Sequence, residues 1–214
     1  MAVCLLLSTS ARAQGALGPV TFSGGVRWAA PVSVGQVDAT EIGVDGKPYR
    51  LFSTASRFEG TFGGEGRIGV RLTKVLRAEG AFSYGIPTLA TRVSGDAEGA
   101  RSTTATEGVR QFTFEGGIAL LLPRWRPVPR GSPFLTVGVG YLRQLHEGRT
   151  LAEDGRSGFV GVGMDVVLRE RRGKRLKAVG VRGDARAAVR GAGLSLDRRS
   201  HVVLLLGTSL FFSF

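Results

Sequence analysis

Side chains able to do chemistry are sparse in this chain. His146 and His201 are its two histidines, and Ser200, directly before His201, is the nearest candidate nucleophile. Nucleophilic catalysis needs a serine or acid held beside a histidine. Neighbouring residues on a strand point to opposite faces, so Ser200 and His201 do not meet if that segment is extended. One histidine per loop makes no metal-ligand set, and the lone cysteine, Cys4, lies near the N-terminus. Glycines 138, 140, 161 and 163 lack the Lys-Ser/Thr ending and the following helix of a phosphate-binding loop. The expectation is a chain with no catalytic residue, no metal site and no cofactor.

The remaining chemistry is charge. The formal net charge is +12, nearly all of the excess being arginine. A basic chain can bind nucleic acid when its cations gather on one helix or tail. Here they recur at alternate positions within apolar stretches, and cluster at Arg169, Arg171, Arg172, Lys174, Arg175 and Lys177. Such spacing reads as strand faces and solvated turns, and no nucleic-acid partner is expected.

The elements holding these charges have a period of two. Phe58, Phe62, Ile68, Val70 and Leu72 fall on one face, opposite Glu59, Thr61, Glu65, Arg67 and Arg71. After a short turn at 73–75, Leu76, Ala78, Phe82, Tyr84 and Ile86 alternate with Arg77, Glu79 and Ser83. Further strands follow around Phe112–Leu122, Leu135–Tyr141, Val160–Leu168, Val179–Ala187 and Val202–Phe214, and an opening strand at Val20–Ala30 makes eight. Polar segments at 31–57, 87–108, 146–157 and 190–200 read as long loops on one side, with shorter connections on the other. With 33 glycines and no apolar run near the roughly 18 residues of a membrane helix, neither a helical fold nor a helical membrane span fits.

The expected fold is all-β, an eight-stranded antiparallel transmembrane up-and-down barrel over 14–214. Strands of about 9–11 residues, short turns and long loops match such a barrel, with both termini in the periplasm. Residues 1–13 are expected to be a short export signal, with Ala11-Arg12-Ala13 as the cleavage site. Lipid outside inverts the usual partition, so the charged faces line the lumen. Glu59, Glu65, Arg67, Arg71, Arg77, Glu79, Glu115, Asp165, Arg182, Asp184 and Arg186 are expected to form an interior ion-pair network. An unpaired charge in a narrow lumen costs several kcal/mol, so near balance implies a salt-bridged plug. Aromatic girdles are expected at the loop end (Trp28, Phe58, Phe82, Tyr84, Phe112, Tyr141) and the turn end (Phe212, Phe214, Trp125).

The stretches Gly66-Arg-Ile-Gly-Val-Arg-Leu-Thr73, Leu76–Tyr84, Pro133–Tyr141, Val181–Arg186 and Leu210-Phe-Phe-Ser-Phe214 together resemble the outer-membrane β-barrel domain family, the small OmpA-like and OmpX-like barrels. The resemblance covers nearly all of the mature chain. It implies residence in the cell outer membrane of a Gram-negative envelope, with membrane lipid and lipopolysaccharide as partners. It also implies that the barrel-assembly machinery reads the last strand, with Leu210, Phe212 and Phe214 as the assembly signal. Enzymes on this scaffold include lipid A deacylases, whose His-x-Ser spacing is absent here. The implied role is structural, adhesive or loop-mediated binding. The alternatives are a narrow passive pore, a lipid A-modifying enzyme and, structurally, a soluble ligand-binding barrel.

Overall fold

The computed structural model describes residues 18–125, 127–128, 130–146, 152–170, 175–191 and 200–214. The expected export signal with Cys4, and residues 171, 172 and 174 of the basic turn, lie outside the described residues. Eight strands close into an antiparallel barrel: β1 (Val20–Ala29), β4 (Thr61–Arg71), β5 (Leu76–Gly85), β8 (Arg110–Leu121), β9 (Gly131–Leu145), β10 (Ala152–Glu170), β11 (Ala178–Arg190) and β12 (His201–Ser213). Closure is made by β1, which pairs with β4 on one side and β12 on the other. The chain ends lock the seam, where the Phe214 amide donates to the Val20 carbonyl at 2.9 Å. With no free edge, the barrel wall satisfies its own backbone groups, as a sheet in hydrocarbon must.

Alternation decides which way each side chain points. The outward rows are apolar and uncovered: Phe62 is 74% and Val139 69% exposed, an arrangement sensible only if something apolar surrounds the wall. Aromatic side chains gather at both rims as expected. Phe82, Tyr84, Phe112 and Phe114 stack on one another toward the loop end. Phe22 meets Phe214 edge-on at 5.9 Å at the turn end. The turn at 73–75 is set by Thr73, whose hydroxyl accepts from the amides of Val75 and Leu76.

Two of the expected long loops are not loops. Segments 31–57 and 87–108 form a second sheet of four strands, β2 (Val32–Ile42), β3 (Pro48–Phe58), β6 (Thr88–Ser94) and β7 (Thr103–Gly108), in the order β2-β3-β6-β7. The first hairpin comes from the β1–β4 connection and the second from the β5–β8 connection, and β3 pairs with β6 to join them. Gly46, at φ 76°, turns the first hairpin, which closes through hydrogen bonds between Gly43 and Lys47 and from Gly46 to Gly43. This sheet has no apolar alternation in sequence because much of it is solvated on both faces.

Phe58 is a correction. It was expected on the outer face of a strand running on to Leu72, yet it ends β3 and is 6% exposed. The chain breaks between Phe58 and Thr61, so the two phenylalanines of that supposed strand face different environments. Phe58 packs with Val32, Val34 and Val109 from the loop connections, and with Phe159, Ala188, Val203 and Leu205 from the barrel wall. The upper sheet is thereby anchored in the barrel mouth.

Glycines on the inner wall make room for rings. A Cβ on Gly163 would lie 2.3 Å from the Phe134 ring, and one on Gly180 2.4 Å from the Phe211 ring. Gly163→Ala is expected to cost about 1–3 kcal/mol through overpacking. Gly183→Ala, whose Cβ points into open space, is expected to stay within about 0.5 kcal/mol of the parent. Urea unfolding of the two variants in lipid vesicles checks this, and equal midpoints would contradict it.

Candidate functional site

The lumen holds the densest polar constellation of the molecule. Inward positions on six of the eight barrel strands bring together five arginines (Arg27, Arg67, Arg77, Arg182, Arg186) and five carboxylates (Glu65, Glu79, Glu115, Asp165, Asp184). All ten side chains are under 10% exposed, and the five cations and five anions make this cluster formally neutral.

The network has two tiers. In the one nearer the loops, Arg27 and Arg186 clamp Glu115, with Nη2 of Arg27 at 2.7 Å and Nη1 of Arg186 at 2.6 Å. Both also donate to Glu65 at 3.3 Å. In the other tier, Glu79 accepts from Nη1 and Nη2 of Arg182 at 2.7 and 3.0 Å and from Nε of Arg77 at 2.7 Å. Asp165 accepts from Arg77 Nη1 at 2.6 Å. Arg67 joins the tiers by donating to both Glu65 and Glu79. Asp184 joins them from the other side, accepting from Nε of Arg186 at 2.7 Å and Nε of Arg182 at 3.3 Å. Charge-assisted bonds of this kind are roughly twice as strong as neutral ones.

Rings floor and roof the charged layer. The Arg182 guanidinium carbon lies 4.1 Å from the centroid of Phe134, and that of Arg77 lies 5.3 Å away. Arg186 stands 5.5 Å from Phe159. Beyond Phe159 comes the apolar layer at the barrel mouth. Toward the turns the lumen closes on Val167, Ala178 and Phe211 and on Ala119, Leu121 and Phe134.

The interior cavities among the described residues are small. One of about 10 Å³ is bounded by Arg67, Arg77, Asp165 and Arg182, and another of about 30 Å³ by Arg27, Ser83 and Gln111. The first borders Nε of Arg67, Nη2 of Arg77 and Oδ1 of Asp165, which lack protein hydrogen-bond partners. A single water is about the size that fits such a space.

The structure places nine of the eleven expected network residues in this cluster and departs on two. Glu59 is not in the lumen. It lies between β3 and β4, is half exposed, and sits 3.9 Å from the more exposed Arg57. The strand break after Phe58 removes it from the inward row. Arg71 stays inward but at the turn end of β4, half-buried and opposite Arg77 in the register. Arg27 is a functional residue the sequence reading passed over. Its signal was the β1 alternation of Val26 and Trp28 with Thr21, Ser23 and Arg27.

The histidines stand apart from the network. His146 lies 3.3 Å from Glu107 of β7 and 3.6 Å from Glu153 of β10, joining the upper sheet to the barrel rim. His201 opens β12 opposite Arg190. The expected assembly residues Leu210, Phe212 and Phe214 all lie on the outer face at the β1–β12 seam. A cavity of about 410 Å³ lies on the upper sheet, lined by Pro31, Val32, Ala55 and Ala90 with Arg57, Arg92, Ser33, Ser56 and Thr104.

Removing one partner of a buried pair strands the others. Glu79→Ala, which leaves Arg67, Arg77 and Arg182 short of a carboxylate, is expected to destabilise the barrel by about 3–5 kcal/mol. Glu59→Ala is expected to cost less than about 1 kcal/mol, as for an exposed pair. Paired unfolding curves test the contrast, and a small effect at Glu79 would show that the network is dispensable.

No family profile matches the sequence, and no curated protein matches it. Solved structures do. The outer membrane protein OprG from Pseudomonas aeruginosa superposes with a TM-score of 0.56 at 12% identity, covering 94% of this chain and 98% of that one. Neisserial surface protein A (NspA) gives 0.48 at 11% identity, covering 90% and 97%. At such identity a likeness speaks of fold alone. With the closed eight-stranded wall, the apolar outside and the charged inside, the chain has the fold of the small outer-membrane β-barrels.

Proposed function

We propose that this chain is an integral, non-enzymatic outer-membrane protein that holds a rigid β-sheet above the membrane for binding. The observation carrying this reading is the joining of two loop hairpins into one sheet rooted in the barrel mouth. Loops that merely cap a barrel have no need of a shared hydrogen-bonded platform. The cleft of about 410 Å³ on that sheet is within the size range of small-molecule sites, and its arginines Arg57 and Arg92 favour an anionic occupant.

In this reading the longer connections face outward and both chain ends face the periplasm. Export is by the signal peptide, and insertion is by the barrel-assembly machinery acting on the strand that ends at Phe214. A pore is disfavoured because the lumen is filled by paired charges between two apolar layers. An enzyme is disfavoured because Ser200 and His201 are neighbours in sequence, and adjacent residues of an extended segment point to opposite faces.

Three measurements on one preparation test the reading. The protein in outer membranes is expected to shift its gel mobility on boiling. Planar bilayers containing it are expected to show no discrete conductance steps, whereas regular steps would favour the pore. Lipid A from cells with and without the protein is expected to have the same mass, and a change would establish an enzyme.

A further inference from the structure

Apart from Arg169, which pairs with Val179 at the turn end of β10, the cations on the outer wall of the barrel gather at one place. The outward rows of β1, β4, β5, β11 and β12 carry no charged residue. On β8, β9 and β10 the outward row instead changes from apolar to arginine near the loop end. Leu120, Ile118, Phe114 and Phe112 lead to Arg110; Leu135, Val137, Val139 and Tyr141 lead to Arg143; Val162, Val160 and Gly158 lead to Arg156. All three arginines are exposed.

The register makes them neighbours. Arg143 pairs with Phe112 of β8 and Asp154 of β10, while Arg110 pairs with Leu145 and Arg156 with Tyr141. Each arginine is therefore diagonal to the next, and diagonal residues are within reach of long side chains. Strands about 4.8 Å apart put β8 and β10 roughly 10 Å from each other. One carboxylate shares the patch: Asp154 lies 3.9 Å from Nε of Arg143 and accepts the Tyr141 hydroxyl at 2.6 Å. Three cations against one anion leave an excess of two positive charges.

Below the arginines the outward rows of these three strands are apolar. Val139 is flanked in register by Gly116 on one side and Gly158 on the other, so its side chain stands clear of both neighbours. A Cβ on Gly116 would meet nothing within 4 Å. The apolar surface is thus lower on either side of Val139 than in the rows of Phe112, Phe114, Ile118, Val160 and Val162 around it.

We infer that Arg110, Arg143 and Arg156 bind the phosphates of a phosphorylated glycolipid of the lipid A type in the outer leaflet, with its acyl chains against the apolar rows of β8, β9 and β10 below. Guanidinium groups match phosphate oxygens with parallel hydrogen bonds. Cations where an apolar wall ends stand at headgroup level. The width of the patch suits more than one phosphate. This site rests on the membrane placement proposed above, but it is separate from the cleft on the upper sheet.

The test uses the full-length protein refolded in detergent and its heat-dependent gel shift, followed by native mass spectrometry with diphosphoryl lipid A. Wild type is expected to retain this lipid, and to lose most retention when the lipid is enzymatically dephosphorylated. R110Q/R143Q/R156Q is expected to bind at least about tenfold more weakly. R50Q/R101Q, with two exposed charges removed from the upper sheet away from its cleft, is expected to match wild type. Asp154→Asn, which removes the competing carboxylate, is expected to bind more tightly. Equal binding by the triple variant, equal binding of dephosphorylated lipid, or equal loss in R50Q/R101Q overturns the site. Absence of a gel shift in wild type overturns the membrane placement and this site with it, whereas a shifted barrel that ignores lipid A overturns the site alone.

Discussion

Charges enclosed in a cylinder too narrow for bulk water have to find their partners on the opposite wall. An eight-stranded barrel is only just wide enough for its own side chains, so each arginine projecting from one strand ends among carboxylates from others. Five cations and five anions meet this condition here through bonds that cross the lumen, such as Arg77 to Asp165 and Arg186 to Glu115. Sharing makes the arrangement cooperative. Arg67 and Asp184 tie the two tiers together, so no pair can be displaced without disturbing another. Much else follows from keeping this layer dry and centred. Phe134 and Phe159 bound it, and the glycines facing the inner rings exist because the lumen has no spare width.

The same filling fixes how the exposed sheet is held. The apolar layer above the charges is built partly by the wall, through Phe159, Val203 and Leu205, and partly by Val32, Val34, Phe58 and Val109 of the connections. The hairpins are thus rooted in the barrel and also hydrogen-bonded to each other through β3 and β6. His146 adds a polar tie between Glu107 of the sheet and Glu153 of the rim. A platform so tethered keeps its shape without a partner, which lowers the ordering cost of recognition.

Outside, the wall obeys a different rule. Lipid demands apolar side chains along its depth, and departures from that rule carry information. Five strands depart nowhere. Near the loop end, the other three place arginines beside one another at the level where the apolar rows end. The arginines of the central network and those of the outer patch are therefore chemically alike but physically opposite: the first are matched by carboxylates, and the second exceed theirs.

Period-two alternation was enough, in the sequence alone, to determine the all-β class, eight barrel strands and the facing of most wall residues. It worked because a strand's side-chain period does not depend on what the strand pairs with. Glu65, Arg67, Arg77, Glu79, Glu115, Asp165, Arg182, Asp184 and Arg186 were legible as inward charges for that reason. Arg27 carried the same signal on a strand with a single charge, where alternation is easily passed over. Tertiary structure alone decided which carboxylate each arginine meets, since the partners are up to 121 residues apart and are set by barrel closure. It also decided that two polar segments become one sheet, that Phe58 turns into the barrel mouth, and that Glu59 is left in solvent. Each of these depends on contacts between distant strands, and no local pattern of residue types records them.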